Sequence, residues 1–255
     1  MLTDQYGKVS PALQFMHLLA YVDTLWFGEG YDYNESPEYW LVEVSGLPFG
    51  LMGDMMREGN AWRGMVYGMS SRFRGADPSP IWDLWDVFGI ENATMIGYWQ
   101  PDPPTALTGE GCGEVRATTY VRYGRSALIA IASWEHEPVS CRLAFDYTSL
   151  GIRPSLAKLR APHLRGGHVG QAAADFALEG PNYAPTLHVP SGRGWLLMLE
   201  GGAGEMVEAE HDQPGGREGR EGRGGRGPLG VPGEAAHAAA ARRQACRARG
   251  GAHCQ

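Results

Sequence analysis

An α/β portion joined to an all-β portion, followed by a tail that builds no core, is the fold class this sequence predicts. Three observations carry the prediction. Across residues 1–100 apolar strand patterns alternate with amphipathic helix patterns, the order expected of a parallel α/β layer. From Ala93 onward turn signals recur about every ten residues between short alternating runs, the pattern of an antiparallel sandwich. From Gly201 to Gln255 there is no Trp, Tyr, Phe or Ile, and such a segment cannot bury enough apolar surface to offset its chain entropy. The tail is therefore expected to be disordered.

In chain order, Pro11–Ala20 places Leu13, Met16, His17 and Ala20 on one helical face, with Ser10-Pro11 as a start signal and His17 as a packing residue. Val22 to Phe27 reads as an apolar strand ending in Gly28-Glu29-Gly30 and then Tyr31-Asp32-Tyr33. Ser36-Pro37 starts a second helix to about Arg57, broken by Gly46, Pro48, Gly50 and Gly53. The Met55-Met56 pair reads as core filling. Trp62 to Met69 alternates and reads as a second strand, which would set Ser70-Ser71-Arg72 at its carboxyl end. Pro80–Phe88 is a helix stopped by Gly89, with Trp82 and Trp85 on its packing face. Ala93 to Trp99 opens the β portion. Val115–Arg122 comes next, turns at Tyr123-Gly124-Arg125 and returns as SALIAIASW; VSCRLAFDY succeeds it and GWLLML, residues 194–199, comes last.

The first strand and its loop hold the chemistry. A carboxylate between two glycines, flanked by Trp26, Tyr31 and Tyr33, suits a sugar-binding cleft, because aromatic faces lie against pyranose C–H faces while carboxylates accept hydroxyl protons. Loops leaving the carboxyl ends of parallel strands are where such sites are built. Glu29 and Asp32 are the candidate catalytic carboxylates, and Trp26, Tyr31 and Tyr67 the candidate substrate-binding rings.

Charge argues against a nucleic-acid partner. Of 22 basic and 29 acidic residues the tail holds eight and seven, so residues 1–200 carry 14 against 22, where a phosphate backbone needs a basic face. The REGREGRGGRG run of the tail has interleaved Glu residues that weaken an RNA-binding reading. Cys112, Cys141, Cys246 and Cys254 show neither zinc spacing nor a disulfide framework, and no metal or cofactor is expected. No apolar run reaches membrane-spanning length, so no membrane partner is expected, and the N-terminus lacks a signal-peptide pattern.

Several long runs in order, WFGEGYDY, PEYWLVEVSGLPFGLMGDM, NAWRGMVYGM and PIWDLWDVFGIENATMIGYW, then RYGRSALIAIASWEHEPVSCRLAFD and GRGWLLML, resemble glycoside hydrolase family 123-like proteins, relatives of β-N-acetylgalactosaminidases. The resemblance covers about residues 13–199. It implies the carboxyl-terminal part of a (β/α)8 barrel in residues 1–100, an antiparallel β-sandwich in 110–200, and a tail over 201–255 outside the family pattern; the alternating strands of 110–200, with their own turns, predict that this part folds alone. A complete barrel needs eight strands in about 250 residues, so the chain is expected to begin inside the barrel. The partner it implies is an amino-sugar-containing glycan. The family's adjacent Asp-Glu pair, in which Asp orients the substrate's acetamido group and Glu is the acid/base, has no counterpart, since no Asp-Glu dipeptide occurs. Three readings remain: a glycosidase or part of one, a module that retains glycan without cleaving it, and a truncated product without independent function.

Overall fold

In the computed structural model the described residues are 32–53, 55, 59–70, 77–166, 169–178 and 184–201, together with 18, 21, 24 and 25. The expected helix over Pro11–Ala20, Met56, and the tail beyond Gly201 lie outside the described residues, apart from Leu18.

The amino-terminal portion contains one parallel strand pair, β1 (Thr24–Leu25) with β2 (Met52–Gly53), in register Thr24 to Met52 and Leu25 to Gly53. Between them Ser36 caps α1 (Pro37–Tyr39), accepting from the Tyr39 N–H at 3.3 Å. The chain then widens into a π-turn over Trp40–Val44, where the Ser45 N–H reaches the Trp40 carbonyl at 2.9 Å. Gly46, at φ 66°, ends it in the left-handed region that suits glycine. The long broken helix expected to Arg57 is thus three short turns, the last a 3-10 turn over Leu47–Phe49, and a strand. At Gly53 a methyl would overlap the Val44 carbonyl, which explains why a strand so close to that turn carries glycine.

The second correction concerns Trp62–Met69. Residues Ala61–Val66 form a helix, α2, with Asn60 as its cap accepting from the Arg63 N–H at 3.1 Å. All six helical residues are buried, so a one-sided stripe is missing and the alternation read from the sequence carries no strand information. The helix ends at Val66 with Tyr67 as its cap, and Gly68, at φ 77°, turns the chain away. Ser70 accordingly comes after a helix, while Ser71 and Arg72 lie outside the described residues.

Helix α3 (Ser79–Phe88) stops at Gly89, at φ 73°, as the sequence predicts. The β portion then runs through β3 (Thr94–Ile96), β4 (Thr105–Thr108), β5 (Val115–Arg122), β6 (Ser126–Ser133) and β7 (Val139–Phe145). After α4 (Tyr147–Leu150) come β8 (Lys158–Ala161), β9 (Ala174–Phe176), β10 (Thr186–Val189) and β11 (Gly194–Glu200). Among the described residues these form a six-stranded antiparallel sheet, β3-β5-β6-β11-β8-β9, and a three-stranded one, β10-β7-β4. The β5–β6 hairpin turns at Gly124, at φ 71°, inside the turn read from the sequence. Because β3 and β4 belong to these sheets, sheet residues begin well before 110.

Two apolar cores lie on opposite faces of the larger sheet. One joins Val115, Ala117, Ile129, Ile131, Leu197 and Leu199 to Cys141, Leu143, Leu187 and Val189 of the smaller sheet. The other joins Tyr120, Leu128, Ala130, Ala132, Leu196 and Met198 to Trp40, Met55, Trp62, Met65 and Tyr67 of the amino-terminal portion. Strand β6 alternates between the two cores, so seven of its eight residues are buried. Its alanines at 130 and 132 face the core in which α2 packs.

The expectation of no disulfide is also corrected. Cys112 and Cys141 are bonded, with Cα atoms 5.9 Å apart, tying the Gly-rich connection after β4 to the central strand of the smaller sheet. Spacing could not show this, because the two residues meet only once β7 and the loop 109–113 are in place.

Candidate functional site

The segment leaving the carboxyl end of β1 is the candidate site, and its second half is described from Asp32 on. Asp32 is exposed; its Oδ1 accepts the Asn34 N–H at 2.9 Å, a tight Asx turn that leads the chain toward α1. Residues 33–37 are held by side chains from elsewhere in the chain, which grasp alternate carbonyls. The Arg63 Nη1 donates to the Tyr33 carbonyl at 2.5 Å, and the Trp134 indole N–H to the Glu35 carbonyl at 3.0 Å. The Tyr67 hydroxyl donates to the Pro37 carbonyl at 2.7 Å. Tyr98 lies 3.0 Å from the Tyr67 oxygen and 3.2 Å from the same carbonyl. Each hydroxyl has one proton, so the shortest consistent arrangement is a relay from Tyr98 through Tyr67 to Pro37.

Arg63 is the centre of this clamp. Only 7 % exposed, it also donates through Nε to the Ser133 carbonyl at 3.3 Å, and its guanidinium stands 4.9 Å above the Trp134 ring. Burial pulls its pKa down from the usual arginine range, yet the group remains a cation. Carbonyl dipoles and a ring face hold the charge; no carboxylate pairs with it among the described residues.

Beneath the clamped segment, Tyr67 is stacked between Trp40 (6.1 Å, 15°) and Trp99 (5.6 Å, 16°). Tyr98 meets Trp99 edge-on at 5.1 Å, and Trp134 meets Trp40 edge-on at 6.1 Å. Burial, and then the neighbouring Tyr98, push the Tyr67 hydroxyl above the ordinary tyrosine range; burial raises Tyr98 as well. Both phenols therefore stay neutral and available as donors. On the rim, Arg116 lies 5.4 Å over the Tyr98 ring and 4.0 Å from the Glu38 carboxylate.

Of the sequence-predicted site residues, Asp32 is at the mouth of this loop and Tyr67 is beneath it. Trp26, Glu29 and Tyr31 lie outside the described residues. Tyr67 is 1 % exposed, which makes it part of the support and leaves no ring face for a ligand. Trp85 packs at the edge of the core, while Trp82 is 41 % exposed and donates its indole N–H to Ser70 at 2.8 Å, so only one of that helix's two tryptophans packs as expected.

Sequence reasoning missed Arg63, Tyr98, Trp99 and Trp134. One signal was readable: an arginine inside the apolar run AWRGMV needs a buried acceptor set. Trp134, at the carboxyl end of β6, carried none. Among the described residues no three His, Cys, Asp or Glu side chains gather as a metal set, and no helix is long and apolar enough to cross a membrane.

The clamp draws Arg63 and Tyr67 from one stretch of the chain and Tyr98 and Trp134 from another, and the comparisons divide the chain between the same two. Residues 2–74 match the family model described as glycoside hydrolase 123, TIM-barrel domain. Residues 77–200 match the one described as glycoside hydrolase 123, C-terminal domain. No curated protein matches the chain. Two adjoining matches to one family, in domain order and spanning nearly all of residues 2–200, mean that this chain belongs to the glycoside hydrolase 123 family.

Proposed function

We propose that the chain is a glycoside hydrolase-like protein that holds an amino-sugar-containing glycan at residues 26–32 without cleaving it. The observation that carries this reading is the clamp: carbonyls 33, 35 and 37 are all tied down, a degree of positioning that a plain surface connection does not need. Glu29 and Asp32 supply carboxylates for sugar hydroxyls, Trp26 and Tyr31 supply ring faces, and Tyr67 acts from behind through the stack. Residues 1–74 are read as barrel and the two sheets as a sandwich, with sugar at the carboxyl end of a parallel strand.

Cleavage needs an acid within hydrogen-bond reach of the leaving oxygen, and in the substrate-assisted scheme a second carboxylate to orient the acetamide. The adjacent Asp-Glu pair that resembling enzymes use for this is absent from the sequence. Glu29 and Asp32 stand three apart around a glycine and do not reproduce it.

The test uses purified, monodisperse protein with a chromogenic β-N-acetylgalactosaminide for turnover and N-acetylgalactosamine titration for binding. Saturable binding, weakened by Glu29→Gln and Asp32→Asn, with no release above the no-enzyme background is expected. Release abolished by Glu29→Gln would overturn the non-cleaving reading. Absence of binding would overturn the glycan reading itself.

A further inference from the structure

Two Asn-x-Ser/Thr triplets, the acceptor pattern for N-linked glycosylation, occur in the chain: Asn34-Glu35-Ser36 and Asn92-Ala93-Thr94. Such triplets recur by chance, so the fold has to decide between them. The disulfide bears on both. Cys112 and Cys141 are bonded and buried, and a structural disulfide persists where thiols are oxidised, the secretory lumen included. That lumen is also where asparagine side chains receive sugar.

The second triplet is presented to solvent. After Gly89 ends α3, a 3-10 turn spans Ile90–Asn92. The Asn92 N–H donates to the Gly89 carbonyl at 3.1 Å and the Ala93 N–H to the Ile90 carbonyl at 3.0 Å. Ala93 then extends the chain, at φ −106° and ψ 148°, into β3. Asn92 and Thr94 are exposed, whereas Ala93 and Met95 pack against the core beneath. The two side chains that the reaction uses therefore face water. The Asn92 Nδ2 donates to the exposed Glu91 carboxylate at 2.7 Å, a surface contact that water or a sugar can replace. Among the described residues β3 has β5 as its one neighbour and is an edge of the larger sheet. A bulky hydrated group at the start of an open edge hinders pairing between copies.

The first triplet is exposed too, but its hydroxyl is committed. The Ser36 Oγ accepts the Tyr39 N–H at 3.3 Å as the cap of α1. Pro37 follows it and holds Ser36 in extended backbone, at φ −60° and ψ 162°. That opposes the turn in which a hydroxyl folds back onto the asparagine amide. A glycan there would also crowd the clamped segment 33–37.

We infer that Asn92 is an N-glycosylation acceptor and that Asn34 is not. The donor is an oligosaccharide on a polyprenyl diphosphate, delivered by a membrane-bound transferase of the secretory lumen. The Asn92 Nδ2 attacks the anomeric carbon of the donor's first sugar. A C–N bond forms, the C–O bond to the diphosphate breaks, and polyprenyl diphosphate leaves. The amide gives one of its two protons to a base of the transferase, and nothing is oxidised or reduced. This inference does not rest on the glycan reading above, since the sugar is attached here rather than bound.

Cell-free translation of the full chain behind a cleavable secretory leader, with endoplasmic-reticulum microsomes, tests it in the protease-protected fraction. The expected result is one upward mobility step that peptide N-glycosidase removes. Peptide mapping of the wild-type chain, treated with that enzyme in heavy-oxygen water, should find labelled aspartate at position 92 and unaltered asparagine at 34. Asn92→Gln and Thr94→Ala should abolish the step, Thr94→Ser should keep part of it, and Asn34→Gln should keep all of it. Unmodified asparagine at 92 in the protected wild-type chain would overturn the inference. So would a step that survives Asn92→Gln, or one that is lost in Asn34→Gln. The mapping is read on the wild-type chain, so it stands whether or not a variant folds. Failure here would leave the binding titrations at residues 26–32 untouched.

Discussion

Trp134→Phe would keep a ring beneath the Arg63 guanidinium and remove the N–H that reaches the Glu35 carbonyl. Because Glu35 is exposed, water can replace that donor, so the expected loss is about 0.5–1.5 kcal/mol by urea denaturation. The specific readout is faster amide exchange confined to residues 33–37. Arg63→Lys should cost more, about 1–3 kcal/mol, since a lysine cannot serve the Tyr33 and Ser133 carbonyls and lie flat on Trp134 together. Alkali probes the same residues. Burial raises Tyr67, Tyr98 and Tyr120 above the ordinary tyrosine value of 10.0, so the fold keeps protons that the unfolded chain releases. Their contribution is whole below about pH 10 and is lost as pH rises past it. The urea midpoint should fall there, and Tyr67→Phe should flatten that fall while lowering stability at neutral pH. Asp32 was legible from its turn-rich surroundings. Arg63 was half legible, because one sequence shows a buried arginine's run but not its acceptors.

Among the elements, α2 connects the clamp to the core under the larger sheet, since Trp62 and Arg63 are successive residues on it. Its cap is the point of leverage. Asn60 accepts from Arg63 and donates to Gly192, so Asn60→Ala should cost about 2 kcal/mol, the upper end for a cap, where Asn60→Asp keeps the acceptor and loses only the tie to the β10–β11 turn. Thermal denaturation of the pair separates the two bonds. Gly97→Ala tests the aromatic stack: the added methyl would overlap the Trp99 ring, which is stacked on Tyr67 and met edge-on by Tyr98. A drop in near-ultraviolet circular dichroism with the far-ultraviolet signal retained is the expected signature. The elements that were read correctly, α3 and strands β5, β6, β7 and β11, have clear turns or a one-sided apolar stripe. The helix that was misread is buried all round, and there period carries no information.

For the whole molecule, the disulfide closes a loop with a sequence separation of 29. Chain entropy puts its worth at about 3–4 kcal/mol, so reduction should lower the thermal midpoint by roughly 10 °C. Calorimetry with and without reductant would show it; an unchanged midpoint would mean that the bond contributes nothing. The sandwich was expected to fold alone from residue 110, but excision would bare Tyr120, Leu128, Leu196 and Met198 on the face that the amino-terminal portion covers. Losing that cover removes about 6–12 kcal/mol of apolar burial, as large as a typical domain's entire stability. A fragment spanning 110–200 should therefore bind hydrophobic dyes and melt without cooperativity. The alternating strands were visible in the sequence; what covers their second face was not, because the partners are far away along the chain. Strand β6 turns this arrangement into a constraint on descent. With one face committed to each core, it has almost no neutral position, and a change toward either neighbour must suit a strand already fitted to the other. Recombination that joins the first 75 residues of one relative to the remainder of another should yield misfits unless the alanines, Leu128 and the tryptophans of α2 and the π-turn travel together.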